Sequence, residues 1–188
     1  MKTKKTLLKI SLLFLMYIIY SGVNAQINFT DIIPDTTIFY PDTVGGTNYY
    51  NLDLNNDGVT DFRIGAKYFF TREVSHPPME SYLVKVDTAG MNKINTGPYF
   101  DGDTINPADY YLKSNWIYGI LADHGFVGQW PIEINSVDTY AYMGLEFNHN
   151  GNINYGWVRM KTDGHAFTID RYAWNETPGQ AIIAGQTE

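Results

Sequence analysis

From Thr139 onward the chain runs in three aromatic and β-branched segments, divided by His149-Asn150-Gly151 and by Asp163-Gly164. Asn-Gly and Asp-Gly accept the positive φ values that a tight hairpin turn imposes, and few other dipeptides do. Thr139 to Asn148, Asn152 to Lys161 and Ala166 to Trp174 are therefore predicted as consecutive antiparallel strands, a C-terminal meander. Side chains alternate across a strand with a period of two, so Tyr155, Trp157 and Arg159 share one face of the middle segment and Gly156, Val158 and Met160 the other. One face is expected to be sandwich core and the other an aromatic surface.

The same texture extends upstream. Thirteen of 15 tyrosines, nine of 10 phenylalanines and all four tryptophans lie beyond residue 25, in short apolar runs separated by Gly, Asn, Asp and Pro. Further strands are predicted at Ile27 to Ile33, Thr36 to Tyr40, Thr47 to Leu54, Asp61 to Phe70, Ser81 to Asp87, Trp116 to Leu121 and Gln180 to Ala184. Asn106-Pro107-Ala108-Asp109 offers a cap and a first-turn proline, so a helix of one or two turns is predicted there. The expected fold is all-β: one antiparallel β-sandwich domain of jelly-roll-like type over residues 26–188.

Residues 1–25 read differently. Lys2, Lys4, Lys5 and Lys9 precede an apolar run from Ile10 to Tyr20, followed by the small residues Ser21, Gly22 and Val23-Asn24-Ala25. That order is a secretory signal, predicted to be cleaved after Ala25. The apolar run is shorter than the roughly 20 residues that span a bilayer, so no membrane attachment is expected after cleavage, and a secreted or periplasmic protein is predicted. With four lysines gone from a chain of 13 basic and 20 acidic residues, the net charge moves from −7 to −11. Such a surface repels phosphate backbones, and nucleic acid is not expected as a partner. There is no cysteine, which excludes disulfides, thiol catalysis and a lipidated cysteine anchor.

One stretch carries metal chemistry. Asp53-Leu54-Asn55-Asn56-Asp57-Gly58-Val59-Thr60-Asp61 places side-chain oxygens at alternate positions, with a glycine for the sharp turn and a further carboxylate after it. Calcium takes six to eight hard oxygens at short range. Asp53, Asn55, Asp57 and Asp61, with the Val59 backbone carbonyl, are the candidate ligands of a structural calcium ion. Ile64 stands where an EF-hand has its bidentate glutamate, so the loop is not an EF-hand. The competing reading is an Asx-rich turn joining two strands.

Other constellations are weaker. His76, His124, His149 and His165 show no metal-ligand spacing, and no GxSxG element occurs. Glu146 and Asp170 fall two strands apart near Trp157, Tyr172 and Trp174. A jelly-roll glycosidase would bring two such carboxylates to roughly 5–9 Å beside aromatic rings. A noncatalytic carbohydrate-binding module would need only Trp157 or Trp174 exposed, whereas a structural matrix component would bury every aromatic. Asp35-Thr36-Thr37, Asp42-Thr43-Val44, Asp87-Thr88-Ala89 and Asp103-Thr104-Ile105 resemble the acceptor motif of bacterial O-glycosylation.

Tyr155-Gly156-Trp157-Val158-Arg159, then Asp170-Arg171-Tyr172-Ala173-Trp174, then Thr177-Pro178-Gly179 with Ile182 and Ala184-Gly185, resemble a recurrent ending of secreted proteins of Gram-negative bacteria. The acidic Asp53 loop resembles a DxDxDG segment near the start of such proteins. The resemblance implies a secreted β-sandwich and no particular activity. Taken together, the expectation is a calcium-braced binding or surface-associated module, with extracellular carbohydrate or surface components as partners. The rival is a polysaccharide-acting glycosidase using Glu146 and Asp170.

Overall fold

The computed structural model describes residues 26–71, 79–109, 114–121, 125–126, 140–162 and 166–188. The leader, the Asp163-Gly164 turn and His76, His124 and His165 lie outside the described residues. The described chain is all-β, with twelve strands: β1 (Ile27–Phe39), β2 (Thr47–Leu52), β3 (Phe62–Thr71), β4 (Met79–Thr88), β5 (Lys93–Tyr99), β6 (Thr104–Ile105), β7 (Ser114–Leu121), β8 (Gly125–Phe126), β9 (Ala141–His149), β10 (Asn152–Thr162), β11 (Ala166–Asn175) and β12 (Ile182–Ile183). Two five-stranded antiparallel sheets, ordered β1-β11-β10-β9-β5 and β2-β3-β4-β7-β8, form a sandwich, and β12 pairs with β6 in a separate two-stranded ribbon.

The main core lies between the sheets. Leu52, Phe62, Ile64, Ala66, Val84 and Val86 of one sheet meet Met143, Leu145, Phe147, Val158, Phe167 and Ile169 of the other. These are the alternating apolar positions of their strands, as the period-two reading requires. Leu54, just past β2, is fully buried in the same core and pins the start of the loop that follows.

The first sheet is covered on its other face as well. Ile105 of β6, with Ile182 and Ala184 of the C-terminal segment, packs on Tyr142, Tyr155, Trp157 and Ala173 as a second apolar cluster. The expected aromatic surface of β10 is therefore an interior. The turn after β11 makes this possible: Gly179 N–H donates to the Ile153 carbonyl at 2.8 Å and Asn175 Nδ2 to the Ala181 carbonyl at 2.9 Å. These bonds return the chain across the outer face of β10, so the Thr-Pro-Gly turn and the apolar residues after it act as a clasp over Trp157. Gly156 faces the opposite way and has no room for a side chain: a Cβ there would lie 2.6 Å from the Ala173 carbonyl oxygen and 3.2 Å from a Leu54 methyl.

Between β9 and β10, Asn150 and Gly151 adopt φ values of 53° and 83°, the turn their sequence predicts. Three local expectations fail. The two segments predicted across 27–40 form one strand, with a register shift between Asp31 and Thr36. Lys93–Tyr99, not recognised as strand, pairs with β9 across a shift between Asn95 and Pro98. Residues 106–109 form a turn and not a helix: the Asp109 N–H donates to the Asn106 carbonyl at 2.9 Å, while the Asn106 side chain accepts from the Ala108 N–H and Asp109 Oδ2 from the Asn106 N–H, each at 2.9 Å.

Candidate functional site

The loop joining β2 to β3 is organised around side-chain oxygens. Asp53 Oδ1 and Asn55 Oδ1 both accept from the Asp57 N–H, each at 3.1 Å, and Asp53 Oδ2 accepts from the Gly58 N–H at 2.7 Å. Asp57 Oδ1 accepts from the Val59 N–H at 2.8 Å, while Asn55 Nδ2 donates to Asp57 Oδ2 at 3.1 Å. Asn56 and Gly58 take φ values of 58° and 85°, which curl the loop so that alternate side chains turn inward. Asp53, Asn55, Asp57 and Val59 thus occupy one tight, solvent-facing loop.

Asp61 is set apart from them by burial. It is 8% exposed, its Oδ2 accepts from the Leu54 N–H at 2.9 Å, and Asn92 Nδ2 lies 3.3 Å from its Oδ1. Burial pushes its carboxyl above the usual range; the Leu54 and Asn92 hydrogen bonds oppose that, and the negative charges of Asp57 and Asp53 add to it. Among the described residues, no group of three or more His, Asp or Glu side chains is arranged to hold a metal ion. Any cation here would draw on Asn55 and the Val59 carbonyl as well as carboxylates.

Two residues that spacing did not single out tie this loop to the sandwich. Asn92, 5% exposed, donates to the Asp61 carbonyl at 3.2 Å and accepts from the Asn148 N–H at 2.9 Å, bridging the two sheets. His149 Nδ1 lies 3.0 Å from Asn55 Nδ2, and its ring packs on Trp174 with centroids 5.0 Å apart. Tyr172 donates to Asn56 Oδ1 at 3.2 Å. Both Asn92 and His149 are remote from the loop in sequence, and no spacing pattern connected them to it.

The aromatic binding residues do not stand as expected. Trp157 is 0% and Trp174 4% exposed, so neither offers a ring to a ligand. Trp157 lies under the β6–β12 ribbon, edge-on to Tyr142 at 5.1 Å; Trp174 lies in the main core, edge-on to Phe147 at 5.1 Å. Large rings bury more apolar area than any other side chain, and a sheet covered on both faces takes them inside.

The carboxylate pair also separates. Glu146 stands opposite Tyr155 and is bound by Lys93 at 2.6 Å. Asp170 sits at the register shift between the Arg171–Arg159 and Ile169–Met160 pairs. At about 3.3 Å per residue and two strand spacings of about 4.8 Å, the backbones of the two acids stand roughly 16–19 Å apart, and each carboxylate is held by its own cations. Asp170 is instead enclosed by cations: Arg159 Nε reaches both its oxygens at 3.1 Å and Arg171 Nε lies at 2.9 Å. Burial alone would lower the Arg159 guanidinium, but its hydrogen bonds to Asp170 and Tyr142 outweigh that and hold it above its ordinary range. Glu146 and Asp170 serve as ion-pair partners of the outer face.

Of the four Asp-Thr motifs, Thr43 lies in an exposed turn and Thr104 is exposed on β6, whereas Thr36 and Thr88 are half-buried in strands. Compared with known proteins, the chain matches no family model, no curated protein and no solved structure.

Proposed function

We propose that the protein is an exported, calcium-braced β-sandwich that works as a binding or surface-associated module and not by catalysis. The observation that carries the reading is the convergence of Asp53 Oδ1 and Asn55 Oδ1 on a single loop amide, with Asp57 and Gly58 next in the order a cation loop requires. Oxygens that accept one backbone N–H keep further lone pairs. Asp53, Asn55, Asp57, Asp61 and the Val59 carbonyl would supply hard oxygens to calcium, with water filling the remaining positions. The upward push on the Asp61 carboxyl from Asp53 and Asp57 is the repulsion a divalent cation would relieve. Export follows from the composition of residues 1–25, and the likeness of the Tyr155–Gly185 segment to secreted proteins of Gram-negative bacteria supports it.

Extracellular modules bind calcium with dissociation constants of about 0.1–1 mM. At calcium about tenfold above such a constant, linkage contributes about 1.4 kcal/mol. A rise in melting temperature of roughly 3–6 °C is therefore expected in a chain of this size. Asp57→Ala is expected to abolish that rise. A melting curve indifferent to several millimolar calcium would remove the brace. Protein sequencing of exported material is expected to begin at Gln26, and a first residue inside the 1–25 segment would count against the cleavage site.

One observation favours a second reading, a structural matrix component: Trp157 and Trp174 are both interior. That reading expects no soluble ligand, which separates it from the binding module.

A further inference from the structure

The corner where β1 passes into β2 holds a cleft with a volume of about 860 Å³. That lies within the roughly 300–1,000 Å³ of small-ligand sites. Phe39, Tyr40, Asp42, Thr43, Asn48 and Tyr68 line it. We propose that this cleft binds a neutral saccharide, a proposal that rests on the reading of the protein as a binding module and moves its ligand site away from Trp157 and Trp174.

Phe39 presents its ring at the cleft margin. Its neighbour Ile38 packs against the main core, so the alternation of β1 turns Phe39 outward, where it is 66% exposed. A phenyl ring in water at a cleft margin is available to cover the apolar face of a sugar ring. Tyr40 and Tyr68, 8% and 9% exposed, give the cleft aromatic walls.

The cleft wall is also held by hydrogen bonds. The 41–46 turn is clipped to β3 by Gly45 N–H to the Tyr68 carbonyl at 2.7 Å, and closed on itself by Gly46 N–H to the Thr43 carbonyl at 3.0 Å. Asn48 Nδ2 holds the Phe39 carbonyl at 2.9 Å. A wall held by hydrogen bonds before the ligand arrives loses little entropy on binding, which favours weakly held ligands such as sugars.

The polar groups of the cleft match a polyol. Among the described residues the lining has a hydroxyl at Thr43, an amide at Asn48, one carboxylate at Asp42, and no lysine, arginine or histidine. Hydroxyls and an amide both donate and accept, and a carboxylate accepts strongly, which suits a polyol. A described lining without cations, on a chain of net charge −7, does not suit a phosphorylated, sulfated or uronic sugar.

The test uses the mature chain in millimolar calcium against short cello-, xylo-, manno- and chito-oligosaccharides, with uronic oligosaccharides and choline alongside. At least one neutral oligosaccharide is expected to bind, and calorimetric titration of it should weaken by about tenfold or more in Phe39→Ala. Asp42→Ala is expected to weaken it as well. Because both positions are exposed, the melting temperature of each variant and its response to calcium should match the wild type. No neutral binding, binding untouched by both substitutions, or binding confined to choline or uronic sugars would overturn the proposal. Lost sugar binding beside an intact calcium response would remove this site and leave the calcium brace standing; an absent calcium response with sugar binding intact would do the reverse.

Discussion

Trp157→Ala is expected to destabilise the protein by about 3–5 kcal/mol, the cost of emptying a fully buried aromatic site. At roughly 2–4 °C per kcal/mol, the melting temperature should fall by on the order of 10 °C. The effect is large because Trp157 holds two layers together. It packs on Tyr142 within its own sheet and beneath Ile105, Ile182 and Ala184 of the ribbon and C-terminal segment. Trp157→Phe should cost far less. The indole Nε1 has no hydrogen-bond partner among the described residues, so phenylalanine gives up ring area while removing a buried N–H that is poorly satisfied. Equilibrium urea unfolding of the three proteins provides the check. If Trp157→Ala were as stable as wild type and lost only ligand binding, the ring would have to be a surface platform, contrary to its burial.

Asp170→Ala is the second large effect, about 2–4 kcal/mol of destabilisation. Removing one partner of a buried ion pair leaves the other charge uncompensated, which costs about 3–5 kcal/mol in full burial. Arg159 and Arg171 keep side-chain exposures of 22% and 36%, so water recovers part of that. Arg159→Met combined with Asp170→Ala should be more stable than Asp170→Ala alone, because the orphaned guanidinium is gone and a methionine can cover the Tyr140 ring on which Arg159 now lies, 4.4 Å from its centroid. A glycosidase predicts the opposite pattern: Asp170→Ala would abolish turnover at unchanged stability. Chemical denaturation of the single and double variants separates an ion-pair role from a catalytic one.

Local chemistry made several elements legible. Asn150-Gly151 announced its hairpin, and alternation assigned Val158 and Met160 to the core between the sheets. The oxygen spacing from Asp53 to Asp61 identified a compact loop whose side chains engage its own amides. β5 was not legible because Thr96-Gly97-Pro98 interrupts its alternation, and the register shift that accommodates those residues is set by pairing with β9. Nor could the loop's supports be found by spacing. Asn92 reaches Asp61 from a different turn, and His149 reaches Asn55 from the other sheet.

The sequence by itself determined the all-β class, the strand-forming segments from β9 through β11, the acidic loop and the net negative charge. These depend on contacts within a few residues or on sums over the whole chain. Tertiary structure alone decided which aromatic residues are available. A period of two says that Trp157 and Val158 face opposite ways, but not whether solvent or a second layer waits on either side. The Thr177–Ala184 segment supplied that layer by folding back over β10, turning an expected binding face into core. Phe39, at the end of the edge strand β1, stays 66% exposed, as Phe100 and Tyr49 stay exposed elsewhere.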